Sequence, residues 1–232
     1  MEQKIESALA LLREAAALAP AAFSTSFGAE DMVLLHLIRR NELAIRIFTL
    51  DTGRLPAETH ALMQKIEQVY GPSFETWFPD AAGLQQLVAA DGANGFYQSI
   101  DARKRCCGVR KVEPLGRALA GTAAWVTGLR SGQSAERASV AGRASDETYR
   151  LQKFSPLHDW SEAQVWEFIR AHDVPYNELH DRFYPSIGCD PCTRAVSVGE
   201  DPRAGRWWWE NGQTRECGLH ARPAVVRLKE IA

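Results

Sequence analysis

The sequence predicts an α/β fold: a parallel, twisted sheet flanked by helices, followed by an irregular C-terminal tail. Three observations predict it. Short apolar runs alternate with stretches of helical periodicity from the N-terminus to about residue 172. Runs such as Ala44–Leu50 are largely apolar at consecutive positions, as strands buried on both faces are. Alternation of strand and helix builds parallel sheets whose crossover helices cover both faces. Sheets of this kind bind ligands at the carboxyl ends of their strands.

The elements follow in order. Residues 3–18 carry apolar side chains at helical spacing. Ala22–Phe27 is a short strand running into a turn at Gly28, and Asp31–Arg40 is a helix with Met32, Leu35 and Ile38 on one side. Ala44–Leu50 is a strand closed by Asp51-Thr52-Gly53. Pro56–Tyr70 is a helix with proline at its first turn, where its missing N–H costs nothing. Ser73–Phe78 is a strand and Ala81–Ala90 a helix. After a loop rich in Gly and Asn, a helix is expected over residues 107–120, then strands at Ala123–Gly128 and Tyr149–Phe154. Ser161–His172 is a helix opened by a Ser-x-x-Gln capping box, Ser161 and Gln164. Beyond Pro175 the chain turns irregular and rich in Gly, Pro, Arg and Trp. The expected division is a nucleotide-binding α/β domain over 1–195 and a C-terminal segment over 196–232.

Formal net charge is −2, so no global field recruits nucleic acid or a membrane. The balance hides an asymmetry: residues 101–150 carry 10 basic and 5 acidic side chains, whereas residues 1–100 carry 7 and 12. Arginine outnumbers lysine 21 to 6. Compositional bias accounts for most of these arginines, and only those inside motifs are read as planar forks for phosphate or sulfate. No stretch of 18 apolar residues exists, and charges interrupt the N-terminal region, which reads as an amphipathic helix and not a signal peptide. A cytoplasmic protein with reduced thiols is expected. Oligomeric state is not fixed by the sequence, and a homo-oligomer stays open.

The five cysteines divide as four plus one. Cys106 and Cys107 are adjacent, Cys189 and Cys192 form a C-x-x-C pair, and Cys217 stands alone in Glu216-Cys217-Gly218-Leu219-His220. Two pairs supply a full ligand set for an iron–sulfur cluster or a structural zinc. Adjacent cysteines chelate one tetrahedral ion awkwardly but can reach different irons of a larger cluster, so spacing favours the cluster. A dithiol redox role for the C-x-x-C pair is a third reading, and it leaves Cys106 and Cys107 unexplained. Basic residues surround the first pair, and Lys111, four residues after Cys107, lies one helical turn further along the same face. A lone cysteine is commonly an inert buried residue; the four-plus-one count and the Gly-containing tail favour a reactive thiol here.

Ser24-Thr25-Ser26-Phe27-Gly28-Ala29-Glu30-Asp31 joins the first strand to its helix, and Leu50-Asp51-Thr52-Gly53 closes the second strand at the same sheet edge. Small residues and hydroxyls before a helix can present backbone N–H groups to an anion, although an ordinary capped corner has the same composition. No Gly-Lys-Ser/Thr follows, so this is not a Walker loop.

Taken together, Ser-Phe-Gly-Ala-Glu-Asp, Leu-Asp-Thr-Gly, Cys-Cys-Gly-Val-Arg-Lys-Val-Glu-Pro-Leu, Val-Thr-Gly-Leu-Arg, Gly-Cys-Asp-Pro-Cys-Thr, Gly-Arg-Trp-Trp-Trp-Glu and Glu-Cys-Gly-Leu-His resemble the assimilatory adenylyl-sulfate reductases, the iron–sulfur branch of the phosphoadenylyl-sulfate reductase family. The motifs run in family order from Ser24 to His220; each alone is weak, and the combination is specific. The resemblance implies an adenine-nucleotide alpha-hydrolase-like (pyrophosphatase-loop) fold. It also implies thioredoxin-dependent reduction of adenylyl sulfate to sulfite and AMP in sulfate assimilation, the route to cysteine biosynthesis. The implied cofactor is one [4Fe–4S] cluster on Cys106, Cys107, Cys189 and Cys192, with Lys111 between cluster and substrate. The implied substrate residues are Ser26, Gly28, Asp31, Leu50, Asp51, Gly53, Arg130, Arg137, Arg203 and Arg206.

Cys217 is the implied nucleophile, forming an S-sulfocysteine, with His220 tuning or positioning that chemistry. Without the resemblance, Arg203 and Arg206 read as surface arginines flanking a packing segment of three tryptophans. The branch acting on 3′-phosphoadenylyl sulfate usually lacks the paired cysteines, so adenylyl sulfate is the expected substrate. Two competitors are weaker. A related adenylating enzyme calls for a Ser-Gly-Gly-x-Asp-Ser loop, from which Ser26–Asp31 departs. A nonenzymatic metal module leaves Cys217 without a purpose.

Overall fold

Six strands form one sheet in the order β3-β2-β1-β4-β6-β5 in the computed structural model, which describes residues 1–134 and 137–210. The strands are β1 (Ala21–Thr25), β2 (Ile45–Leu50), β3 (Glu75–Trp77), β4 (Ala124–Val126), β5 (Arg143–Asp146) and β6 (Leu151–Phe154). The first four and β6 pair in parallel, and β5 pairs antiparallel with β6. The helices are α1 (Glu2–Ala17), α2 (Ala29–Arg40), α3 (Ala57–Tyr70), α4 (Ala81–Asp91), α5 (Ile100–Cys107), α6 (Glu113–Leu119) and α7 (Glu162–Ala171).

The pleat sorts the strand residues onto two faces. Phe23, Ile47 and Val126 join the larger core with apolar side chains of α1, α2, α3 and α7. Ala22, Phe48 and Trp125 point the other way and pack with Leu115, Ala118 and Leu119 of α6. Burial on both faces explains why β1 and β2 read as near-continuous apolar runs. The capping box opens α7 as expected: Gln164 N donates to Ser161 Oγ at 3.2 Å and Ser161 N to Gln164 Oε1 at 2.8 Å.

Two features differ from the sequence expectation. The helix expected over 107–120 begins at Ile100, where Ser99 Oγ accepts from Ala102 N at 3.1 Å. Cys106 and Cys107 therefore sit inside a longer helical stretch. Between α5 and α6 the helix widens into a π turn over Gly108–Val112, a distortion frequent at functional sites. The second difference is β5, an edge strand formed by the polar segment Arg143–Asp146. It is held by its turn, where Asp146 Oδ1 accepts from Thr148 N and Tyr149 N, each at 3.1 Å. Among the described residues no helix is long and apolar enough to cross a membrane.

Candidate active site

With β2 on one side of β1 and β4 on the other, the chain leaves the carboxyl ends of β1 and β4 in opposite directions. A cavity of about 750 Å³ opens at this point, large enough for a nucleotide. Its walls include Ser24–Asp31 after β1, Leu50 and Thr52 after β2, and Thr127–Arg130 after β4.

The loop after β1 is drawn tight by its own side chains. Ser26 N donates to Asp31 Oδ2 at 2.6 Å and Ser26 Oγ donates to the same oxygen at 2.9 Å. Burial raises the Asp31 pKa to about 6, outweighing the two Ser26 bonds that lower it. Gly128 is needed for this packing: a Cβ there would lie 2.1 Å from Asp31 Oδ1. Beside it, Arg130 Nε donates to Glu30 Oε1 at 2.7 Å and Arg130 Nη1 to the Trp160 carbonyl at 3.2 Å. Arg130 thus lines the cavity already held by a carboxylate. Arg137 also lines it, with Nη1 2.6 Å from Gln133 Oε1.

At the end of β2, Leu50 and Thr52 line the cavity, whereas Asp51 and Gly53 do not. Asp51 Oδ1 accepts from Gly53 N at 2.8 Å, and Oδ2 lies 3.0 Å from His60 Nε2. These two residues shape the loop that presents Leu50 and Thr52.

Cys106, Cys107, Cys189 and Cys192 line a second, small cavity together with Arg54, Arg103, Arg110, Lys111, Arg206 and Trp207. Cys107, Cys189 and Cys192 are buried and Cys106 is half-buried. The loop after β2 grips both pairs. Thr52 Oγ1 is 3.3 Å from Cys189 Sγ, Asp190 N donates to the Arg54 carbonyl at 2.8 Å, and Arg110 Nη1 donates to the Thr52 carbonyl at 2.6 Å. Burial pushes the Cys192 thiol up to about 12; Cys189 adds to the shift, while Lys111 and Arg206 oppose it. Burial also raises Cys106, opposed by Arg110. Among the described residues no group of three or more His, Cys, Asp or Glu side chains is arranged to hold a single metal ion.

Lys111, Arg206 and Trp207 line both cavities and so form their common wall. Arg206 is buried, its Nη1 donating to the Ile187 carbonyl at 3.1 Å and its guanidinium 4.9 Å from the Trp207 ring. Its Nε is buried without a hydrogen-bond partner. Gly188 makes room for it, since a Cβ there would lie 2.2 Å from Arg206 Nη2. Arg203 lines only the larger cavity. Cys217 and His220 lie outside the described residues.

Sequence reasoning missed several contributors. Thr52 stood inside a motif already singled out, and its neighbours on either side were chosen instead. Arg54 follows the same motif and lines the cysteine cavity. Of the basic run near the first cysteine pair, Arg105 instead pairs with Asp91 at 2.8 Å on the surface. Gly128 and Gly188 stand inside the quoted motifs Val-Thr-Gly-Leu-Arg and Gly-Cys-Asp-Pro-Cys-Thr, but their need for a missing Cβ has no local signal.

Residues 20–195 match the phosphoadenosine phosphosulfate reductase domain. The chain is 58% identical over 205 residues to an adenosine 5′-phosphosulfate reductase of Allochromatium vinosum, covering 88% of this chain and 80% of that protein. It is 52% identical over 198 residues to one of Burkholderia cepacia, covering 85% and 79%. Among solved structures, a phosphoadenylyl-sulfate reductase from Candida auris in complex with phosphate superposes with a TM-score of 0.69 at 27% identity, covering 82% of this chain and 90% of that one. A Candida glabrata FMN adenylyltransferase shares the fold alone, with a TM-score of 0.59 at 16% identity over 95% of this chain and 77% of its own. The chain belongs to the phosphoadenosine phosphosulfate reductase family.

Proposed function

We propose that this chain is a thioredoxin-dependent reductase that converts adenylyl sulfate to sulfite and AMP for sulfate assimilation in the cytoplasm. The observation that carries the reading is the common wall: Lys111, Arg206 and Trp207 separate a nucleotide-sized cavity from a cavity lined by four thiols. The relatives named adenosine 5′-phosphosulfate reductases, at up to 58% identity, support it.

The four thiols suit a [4Fe–4S] cluster better than one zinc ion. They share one cavity, and adjacent cysteines can reach different irons of a cluster but chelate one tetrahedral ion awkwardly. Cys106, Cys107, Cys189 and Cys192 would hold the cluster. When bound, its cationic core allows four buried thiols to be thiolates together and ties the two pairs to each other. Arg54, Arg103, Arg110, Lys111 and Arg206 supply positive charge around them.

In the larger cavity, the loop from Ser26 to Asp31 and Leu50 receive the nucleotide, with Gly28 at the start of α2 and Asp51 and Gly53 shaping the second loop. Arg130, Arg137, Arg203, Arg206 and Lys111 stabilise the phosphosulfate as charge develops on the leaving phosphate. The Cys217 thiolate attacks the sulfate sulfur; an S–S bond forms and the S–O bond to phosphate breaks, releasing AMP. His220 positions the reacting groups. A thioredoxin thiolate then attacks Cys217 Sγ, and sulfite departs with the electron pair of the S–S bond. The second thioredoxin thiol resolves the mixed disulfide, so the dithiol is oxidised as sulfur is reduced. In this division of labour residues 1–195 hold nucleotide and cluster, and residues 196–232 bring Arg203, Arg206, Cys217 and His220.

The test is sulfite release by anaerobically purified protein with reduced thioredoxin, alongside iron and sulfide analysis. About four irons and four sulfides per chain and a higher kcat/KM for adenylyl sulfate than for its 3′-phosphorylated form support the reading. One zinc without sulfide removes the cluster, and comparable kcat/KM values remove the substrate preference.

A further inference from the structure

In the loop that follows β4, one side chain makes three contacts that the chemistry above does not use. Gln133 Oε1 accepts from Arg130 N at 3.1 Å and from Arg137 Nη1 at 2.6 Å, and Gln133 Nε2 donates to the Gly128 carbonyl at 3.4 Å. A backbone N–H and a guanidinium can only donate, so both lone pairs of Oε1 are used and the amide has one orientation. Turned over, its NH2 group would face two donors. Gln133 N also donates to the Arg130 carbonyl at 3.3 Å, closing a 3₁₀ turn over Ser131–Gln133. Ser131 ties that turn to the body of the fold, its N and its Oγ each donating to the His158 carbonyl at 2.9 Å.

Gly128 is held from two sides. Its carbonyl accepts from Gln133, and its Cα packs so closely on Asp31 that a Cβ would lie 2.1 Å from Asp31 Oδ1. The loop after β1, the end of β4 and the Arg137 side chain therefore meet through one amide. The Arg137 charge is felt at this junction: burial raises the Asp31 carboxyl, and Arg137 is among the groups that oppose the rise. Gly128, Gln133 and Arg137 all line the larger cavity.

We propose that Gln133 is the positioning residue for Arg137, holding its guanidinium at the cavity in the pose that meets the phosphosulfate of the substrate. The proposal rests on the reading of Arg137 as a substrate arginine. A long, half-buried arginine side chain samples many rotamers unless one end of its fork is held, and a short charge-assisted bond holds it. The kind of acceptor matters. Glu30 holds Arg130 with a carboxylate, which offsets the charge it orients. An amide oxygen is neutral, so the Gln133 contact orients the Arg137 guanidinium without cancelling its charge. A cation already in place stabilises the charge that develops on the leaving phosphate with no reorganisation at the moment of reaction.

The test is a double-variant cycle of Gln133→Met and Arg137→Ala in the full-length holoprotein. Methionine is close to glutamine in length and offers only a weak acceptor. The readouts are iron and sulfide content and the steady-state kcat and KM for adenylyl sulfate in sulfite release. Gln133→Met keeps its metal content, and its kcat and kcat/KM fall together by at least about tenfold with KM within about twofold of wild type. The double variant falls no more than about twofold below Arg137→Ala, because a guanidinium that is gone cannot be misplaced. Losses that add in the cycle overturn the proposal, since the amide would then act on the loop or on the substrate itself. So does a Gln133→Met protein that turns over at the wild-type rate, whatever its KM, or a loss that tracks metal content. Arg137→Ala with wild-type kinetics overturns instead the reading of Arg137 beneath it.

Discussion

Replacing Gly188 with alanine should damage catalysis by displacing the guanidinium of Arg206. The added Cβ would lie 2.2 Å from Arg206 Nη2, 2.5 Å from Cζ and 2.9 Å from Nη1. The guanidinium must move, and it is buried between the Ile187 carbonyl and the Trp207 ring. Displacement removes its charge from the wall shared by the two cavities. A charge-assisted contact contributes about 1.5–3 kcal/mol, so kcat/KM should fall roughly 10- to 150-fold. Because the loss passes through Arg206, Gly188→Ala should add little to an Arg206→Ala protein, giving a coupling energy close to the whole single-variant effect. The assay is sulfite release by the four proteins of that cycle, each checked for metal content because Cys189 is the next residue. Additive losses, or a Gly188→Ala protein with wild-type kinetics, would refute the argument that this glycine exists to seat Arg206.

Asp31 gives a pH signature. Its folded pKa of about 6 lies above the roughly 3.9 of an unfolded chain, so the folded state binds the extra proton and stability falls as pH rises from about 4 to 6. Asp31→Asn should therefore be more stable than wild type above pH 6, by up to about 2–3 kcal/mol, with the advantage vanishing near pH 4; urea midpoints across that range would show a flat difference if burial did not strain this carboxylate. Cys106→Ser should lose colour, iron and most activity, and an iron-free variant with normal turnover would make the cluster dispensable. Arg203→Ala should lower kcat/KM by about one to two decades with iron content unchanged, whereas unchanged kinetics would return Arg203 to the surface.

The sheet core was readable because strands buried on both faces write themselves as apolar runs, as Ile45–Leu50 does, and because Ser161 and Gln164 announce a helix start locally. The strand Arg143–Asp146 was not readable, since its stability comes from pairing with Leu151–Phe154 and from the Asp146 turn, neither of which leaves an alternating pattern. The start of α5 was hidden because Asp101, Arg103, Lys104 and Arg105 dilute its apolar face, although Ser99 marked the cap. In the site, the cysteines and arginines were legible as motif residues, and the structure places Lys111 and Arg206 on the shared wall. Contacts across the fold, such as Thr52 with Cys189 or Arg103 with Glu210, have no local signal. Asp51 shows the converse: a motif residue at the right edge of the sheet whose carboxylate is occupied by Gly53 and His60 and does not line the cavity.

The most direct measurement is the mass of the anaerobic holoprotein after incubation with adenylyl sulfate and no reductant, followed by peptide mapping. The mechanism predicts one sulfonate per chain, on Cys217, with an equal amount of AMP released. It also predicts discharge as sulfite when reduced thioredoxin is added, and no adduct in a Cys217→Ser protein that keeps its colour and binds AMP. A serine hydroxyl is scarcely ionised near neutral pH, whereas a thiol with pKa about 8.5 is already a few per cent thiolate. An adduct mapped to any other residue, or sulfite turnover by Cys217→Ser, would contradict the mechanism even with the family membership intact.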